Sequence, residues 1–412
     1  GQHLFRRTEA ALQYVSVLGM LVMLLLAWAM SNNRRIIPWR TVITGTLLQV
    51  VFAVIILRTP VGKAFFLWLS GAVTVFLDFS DAGARFLFGD NFGEHFFAFK
   101  VLPTIIFFSS VITVLYHIGF IQLIVRVFAW IMVRVMGTSG AESLASAVNV
   151  FVGQTEAPLL IKPYVPYLTQ SELMALMTGG FANLAGGVLA AYVGMGVDAG
   201  HLIASSVMSA PASLVMAKLA FPETEDSRTR GHVTLEVERP WANVIDAAAE
   251  GATDGMKLAI NVAAMLVAFI GLVALINALL VWAGGLFGYP ELTLELILGV
   301  LFQPLAWVMG VPWHEAADVG SLLGIKTVVN EFVGYIRLQE MVGAGELSDR
   351  SRIIATYALC GFANFSSIAI QIGGIGALAP ERKSDLARLG LRAMIAGALA
   401  TFQTATIAGM LL

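Results

Sequence analysis

The sequence predicts an all-α integral membrane protein with eight transmembrane helices, two re-entrant hairpins, an interfacial helix and inverted repeats. Three observations carry that expectation. The 412 residues are 58% hydrophobic and only 13% charged, with a mean hydropathy of +0.81, whereas a soluble domain carries about 25% charged residues to keep its surface in water. Charge-free stretches near the roughly 20 residues that span a bilayer core recur along the chain. Two more apolar stretches are interrupted by polar residues, and one residue pattern occurs twice at a fixed spacing.

The expected spans are Ala11–Met30, Thr41–Leu57, Val101–Val125, Leu173–Val197, Leu202–Ala217, Leu258–Pro290, Ile353–Pro380 and Ala393–Leu412. Ala11–Met30 is too long for a signal-peptide core and lacks a convincing cleavage site, so a retained span is expected. Leu202–Ala217 is short, with Lys218 placed to snorkel. Val61–Leu77 carries Lys63 and runs into Asp78, Asp81 and Arg85, which reads as a helix lying at the interface. The net charge of -2 shows no bias toward nucleic acid, and the single cysteine, Cys360, excludes an intrachain disulfide framework.

The interrupted stretches are Ser143–Ile161, broken by Gly153-Gln154-Thr155-Glu156-Ala157-Pro158, and Leu296–Ile336, broken around Gly310-Val311-Pro312 and carrying His314, Glu315, Asp318, Lys326 and Glu331. Such segments read as re-entrant hairpins, since irregular backbone at membrane depth must be buried in protein or face a cavity. They belong to the repeat. Asn149-Val150-Phe151-Val152-Gly153 resembles Asn330-Glu331-Phe332-Val333-Gly334, and Gly180-Phe181-Ala182-Asn183 matches Gly361-Phe362-Ala363-Asn364, all at an offset of 181. A single span between the halves makes them inverted, an arrangement that points to a midplane site in secondary transporters.

Basic residues fix the sidedness. Arg34, Arg35 and Arg40, then Arg228, Arg230 and Arg239, then Arg382, Lys383, Arg388 and Arg392 fall on one side, which is taken as cytoplasmic, with both termini outside. Arg6, Arg7, Arg337, Arg350 and Arg352 weaken the bias without reversing it.

Glu156 is the first site candidate, because a carboxylate at helix-centre depth costs about 2.5–3.5 kcal/mol on insertion scales; capping the half-helix that begins at Pro158 is its structural alternative. Glu331 is its counterpart in the second hairpin, with a water-exposed rim as the alternative. Asn183 and Asn364 are repeat-related amides, and Ser367 shares a helix face with Asn364; interhelical hydrogen bonding is the competing role. No Lys or Arg lies between Arg134 and Lys162 or between Arg352 and Arg382, so a phosphate or carboxylate substrate lacks its usual partner. A neutral or cationic molecule rich in hydroxyls fits: a nucleoside, a sugar or an amino-alcohol. The six histidines are scattered, no HExxH or CxxC spacing occurs, and no P-loop lysine accompanies Gly373-Gly374-Ile375-Gly376. A membrane-embedded transferase or a passive channel is correspondingly unsupported, and the chain does not read as an enzyme.

At Gly153-Gln154-Thr155-Glu156-Ala157-Pro158-Leu159, Asn330-Glu331-Phe332-Val333 and Cys360-Gly361-Phe362-Ala363-Asn364-Phe365-Ser366-Ser367 the chain resembles the concentrative nucleoside transporter family. The likeness runs from about residue 10 to the end. It implies a homotrimer in a bacterial inner membrane and an elevator-type transporter importing nucleosides on a sodium gradient, with proton coupling as the alternative. It implies that Gln154, Thr155 and Glu156, with Val188, face the nucleobase, that Glu331, Asn364 and Ser367 face the ribose, and that Phe362 lines the same site. A sodium ion is implied at the Asn149 side chain and the carbonyls of Val152, Asn183 and Leu184; no other cofactor is expected. A related sequence has Ser at the position of Asn183, a change that a carbonyl ligand survives. The expected scaffold is 1–60, 84–135 and 243–290; the expected transport domain is 61–83, 136–242 and 291–412, with hairpins at about 139–168 and about 292–340.

Overall fold

The computed structural model describes residues 2–95, 97–154, 157–230 and 240–412, and every element among them is helical. The chain begins with α1 (Gln2–Ala29), α2 (Trp39–Arg58), α3 (Pro60–Asp78), α4 (Ser80–Phe88), α5 (Leu102–Ile118) and α6 (Phe120–Met136). The first hairpin is built from α7 (Gly140–Val148) and α8 (Ala157–Leu160). A broken helix follows, α9 (Gln170–Ala182) with α10 (Gly186–Gly194), then α11 (Ala199–Ala220). After α12 (Val244–Leu286) and α13 (Leu294–Val308) the same order returns: α14 (Trp313–Val328) with α15 (Glu331–Gly343), broken α16 (Asp349–Leu359) and α17 (Phe365–Leu378), then α18 (Lys383–Leu411).

Eight helices among the described residues are long and apolar enough to cross a membrane, but they are not the expected eight. Pro60–Phe88 qualifies, although its charges read as interfacial. Ile353–Pro380 drops out, because Cys360–Asn364 separates it into two short helices. Val101–Val125 is not one span either: Gly119 takes φ 92 and caps α5 in the left-handed conformation, and α6 starts anew behind it. The second interrupted stretch has two breaks rather than one. α13 and α14 bend by 116° at Met309–Pro312, whereas the turn carrying Glu331 lies at Val329–Asn330. The pair α14–α15, whose turn precedes Glu331, is the one that matches α7–α8 in order, and the bend at Gly310 is a separate break before it.

The helices fall into two populations. The windows in Gln170–Gly194, Ala199–Ala220 and Pro380–Leu411 are 83%, 89% and 83% buried, against 12% for Val244–Leu286 and 17% for Ala98–Ile118. α1 and α2 pack on α11 and α18. α5 instead pairs with α12 at close range, where a Cβ on Gly251 would lie 2.6 Å from Thr113 Oγ1 and one on Gly255 would lie 2.8 Å from Ile106 Cα. Small residues permit this approach without a hydrophobic driving force. At 43 residues, α12 is about 65 Å long, roughly twice the bilayer core.

The loops after α1, α11 and α17 gather at one end. Asn32 N–H donates to the Ala220 carbonyl at 3.2 Å, Arg382 donates to the Leu168 carbonyl at 2.7 Å, and Arg228 lies 4.5 Å over the Tyr167 ring. Arg239 lies outside the described residues. At the same end Lys218 pairs with Glu142 at 2.5 Å and donates to Ser171 Oγ at 2.8 Å, fastening α11 to the bases of α7 and α9. Glu142 and Glu172 complete capping boxes with Ser139 and Thr169, which explains where α7 and α9 begin.

Candidate functional site

The site forms where the two broken helices cross. Asn183 (φ -120, ψ 163) and Asn364 (φ -138, ψ 163) are extended and interrupt their helices at the repeat-related position. Gly361 takes φ 135, and a Cβ there would meet the Phe181 carbonyl oxygen at 2.7 Å and that of Ala182 at 2.9 Å. The two breaks thus touch backbone to backbone, so only glycine fits. A Cβ on Gly180 would lie 2.6 Å from Gln371 Nε2 and 2.9 Å from Gln154 Cβ, which brings the first hairpin turn to the same point.

A continuous chain of buried polar groups runs through this crossing. Tyr192 on α10 donates to Glu331 Oε1 at 3.1 Å, and Asn364 Nδ2 donates to Glu331 Oε2 at 3.1 Å. Asn364 Oδ1 accepts from the Ser367 N–H at 3.0 Å and caps α17. Gln154 Nε2 donates to Ser367 Oγ at 3.3 Å, and Gln371 Nε2 donates to both Gln154 Oε1 and the Met177 carbonyl at 3.1 Å. Gln154, Glu331, Asn364, Ser367 and Gln371 are all buried. Glu331 is the first residue of α15, where the helix dipole favours a negative charge. Both its named partners are neutral donors, so its remaining lone pairs suit hydroxyls.

Gln154, Glu331, Asn364 and Ser367 are therefore brought into one network. Val188 is buried one turn before Tyr192, and Phe362 is half-buried with its carbonyl accepting from Asn364 N–H at 2.8 Å. Thr155 and Glu156 lie outside the described residues. Sequence reasoning missed Tyr192 and Gln371. Each stands four residues beyond a named candidate, Val188 or Ser367, and so on the same helix face, which is the signal that marks them. It also set Lys326 aside when judging the site free of basic residues. The Lys326 ammonium is fully buried, donating to the Ala358 carbonyl at 2.7 Å and Thr401 Oγ1 at 2.8 Å.

Asn149 and Asn183 meet around Gly179. Asn183 Nδ2 donates to the Gly179 carbonyl at 3.1 Å, and a Cβ on Gly179 would lie 3.1 Å from Asn149 Nδ2. Both asparagines are 1% exposed, yet Oδ1 of each has no hydrogen-bond partner among the described residues. A buried acceptor left unpaired costs about 1–3 kcal/mol. Leu184 is buried and Val152 half-buried beside them, and the Phe151 carbonyl accepts from Gly186 N–H at 3.3 Å. Neutral amide oxygens with freed carbonyls are a donor set for a monovalent cation. Among the described residues no group of three or more His, Cys, Asp or Glu side chains gathers to hold a metal.

Comparison with known proteins decides the family. Residues 18–91 match the family described as "Na+ dependent nucleoside transporter N-terminus", 98–199 match "Nucleoside recognition" and 201–409 match "Na+ dependent nucleoside transporter C-terminus". The chain belongs to the sodium-dependent nucleoside transporter family. Like other such transporters it is a multi-pass membrane protein. It is 47% identical to solute carrier family 28 member 3 of Eptatretus stoutii over 98% of its own length, but spans only 61% of that protein. An uncharacterized transporter of Haemophilus influenzae is 48% identical, with 96% of this chain and 97% of that one covered. The transporter CNTnw, solved in an inward-facing substrate-bound state, superposes with a TM-score of 0.92 at 45% identity, covering 97% of this chain and 98% of the other.

Proposed function

We propose that this nucleoside transporter is a secondary active importer coupled to sodium and working by elevator-type alternating access. The observation that carries the reading is the buried polar chain from Tyr192 through Glu331, Asn364 and Ser367 to Gln154, which draws on both hairpin turns and both broken helices. Its members hydrogen-bond to one another through groups that a ribose or a base edge can replace one for one. Glu331, Asn364 and Ser367 take the ribose. Gln154, Thr155 and Glu156, with Val188 and Phe362, take the base. Sodium takes Asn149 Oδ1 with the carbonyls of Val152, Asn183 and Leu184.

The moving body holds the two hairpins, the broken helices, α11 and α18, in an inverted repeat. Residues 1–60 were expected to stay with the scaffold, but the packing of α1 and α2 on α11 and α18 favours their moving with the hairpins. α5 and α12 are the static pair. The contact between the two bodies is glycine-lined: a Cβ on Gly186 would lie 2.6 Å from Phe108, and one on Gly187 would lie 3.1 Å from Leu258. The reading includes a homotrimer in a bacterial inner membrane with both termini on the outer face.

The test is uridine and adenosine affinity measured calorimetrically across sodium concentrations, at fixed ionic strength and several pH values. Sodium should tighten nucleoside binding, and nucleoside should tighten sodium binding by the same factor. No sodium dependence at any pH overturns the sodium coupling and favours the proton version.

A further inference from the structure

We propose that the Lys326 ammonium is a tethered cation that does in the second half of the molecule what the transported sodium does in the first: it ties a hairpin to a broken helix. The inference rests on the sodium reading above and extends it to a residue that reading does not use.

The two halves place asparagines at equivalent points, Asn149 and Asn330 at the hairpin turns, Asn183 and Asn364 at the helix breaks. In the first half both side-chain oxygens are buried without a partner among the described residues. In the second half both are occupied. Asn330 Oδ1 accepts from Val333 N–H at 2.9 Å and Asn364 Oδ1 from Ser367 N–H at 3.0 Å. Those oxygens are therefore not presented to an ion. A cation stands in the same half all the same, on other oxygens. Lys326, in the last turn of α14, reaches the Ala358 carbonyl in the last turn of α16, and it also reaches Thr401 Oγ1 on α18. Its third side faces the Phe402 ring at 5.5 Å. Each named partner is neutral, as are the proposed sodium ligands, and an aromatic face completes the coordination of an ammonium.

The residue at the repeat-related position of Lys326 is Ala145, on α7 of the first hairpin. Its methyl group supplies no charge, so the first hairpin depends on an ion from solution and the second does not. Lys326 thereby lets the second hairpin stay locked to α16 through the cycle, while the first is locked only when sodium is present.

The test uses the full-length protein with Lys326→Ala, which leaves the oxygens and removes the ammonium, and Lys326→Met, which fills the space without a charge. Uridine affinity and melting temperature are measured with and without methylammonium, and uridine affinity across sodium concentrations. Lys326→Ala should bind uridine roughly tenfold or more weakly, as expected for a lost charge-assisted contact. Methylammonium should restore both affinity and melting temperature in Lys326→Ala but not in Lys326→Met, because only the former has room for it. Sodium dependence of Lys326→Ala should become steeper than that of the unsubstituted protein if sodium also enters the vacated place. Affinity unchanged in either variant, or a loss in Lys326→Ala that methylammonium does not restore, overturns the proposal. Should Lys326→Ala not fold, failure of methylammonium to rescue its folding overturns it equally. Sodium independence of the unsubstituted protein would instead defeat the coupling reading, and methylammonium rescue would still report on Lys326.

Discussion

The first hairpin with α9–α10 and the second hairpin with α16–α17 share one plan and differ in what their oxygens do. In the first, the Asn149 and Asn183 side-chain oxygens are buried and unclaimed among the described residues. In the second, Asn330 and Asn364 cap α15 and α17. On the proposed sodium reading the first half is completed by an ion from solution, whereas the asparagine oxygens of the second are satisfied by its own backbone. Glu331, the carboxylate proposed to take the ribose, sits on the closed half, held by Tyr192 and Asn364. A fixed side and an ion-dependent side give a transporter a way to make substrate affinity conditional on the ion without rebuilding the whole site.

The largest expected effect breaks the closed half. Glu331→Ala leaves Tyr192 Oη and Asn364 Nδ2 without their acceptor, and truncating one member of a buried charged hydrogen-bonded set costs about 2–5 kcal/mol. Nucleoside affinity should fall by at least about thirtyfold, the lower end of that range. Discrimination between ribose and 2′-deoxyribose forms should disappear. Calorimetry on uridine and deoxyuridine measures both. An unchanged preference for uridine would place the ribose elsewhere.

A pair of substitutions sharpens the comparison further. Asn330→Ala removes the cap of α15 and should lower stability by about 1 kcal/mol, with the sodium dependence of binding intact. Asn149→Ala removes an oxygen that caps nothing and is unpaired without an ion, a relief that offsets the lost packing, so the sodium-free melting temperature should not fall as it does in Asn330→Ala. The rise in melting temperature on adding sodium should instead shrink markedly. Thermal melts with sodium and with an impermeant organic cation distinguish the two. The comparison fails if Asn330→Ala loses sodium dependence or if Asn149→Ala keeps all of it.

Much of this contrast is legible in the sequence and some is not. Asn183 and Asn364 stand out because a polar residue after Gly-Phe-Ala inside a small-residue apolar run, found twice at one offset, favours a break, with interhelical hydrogen bonding as its competitor. Glu331 stands out because a carboxylate there is costly. Gly119 does not, since a single glycine in an apolar stretch marks a packing site as often as a helix end, and only its φ of 92 shows which. The bend at Gly310 and the turn at Val329–Asn330 compete in the same stretch, and proline and glycine drew the choice to the former. Tyr192 and Gln371 carry no motif; each matters because of a partner more than a hundred residues away. Lys326 stands only four residues before Asn330, yet no pattern in the sequence announces its contact with Ala358, which is a tertiary fact.

The smallest expected effect lies at the joint between the halves. Gln371 on α17 donates from one nitrogen to Gln154 of the first hairpin turn and to the Met177 carbonyl on α9, so it is a direct tie across the crossing, beside the Gln154–Ser367 hydrogen bond. Its own oxygen has no partner among the described residues. Gln371→Leu removes two hydrogen bonds and one unpaired acceptor, and it leaves buried Gln154 Oε1 without the donor it has here. An acceptor orphaned in this way costs about 1–3 kcal/mol, and losing the unpaired Gln371 oxygen offsets part of it, so stability should fall by about 1 kcal/mol. Gln154, freed from its anchor, should hold the base less selectively, so affinities for uridine, cytidine and adenosine should converge by about threefold to fivefold. The preference for ribose, which the proposal places on the Glu331 side, should not change. Calorimetry across the three nucleosides and their 2′-deoxy forms reads the two selectivities separately. A shift in ribose preference as large as the shift in base preference would mean that the halves are not separable and that the contrast drawn from their asparagines does not reach the substrate.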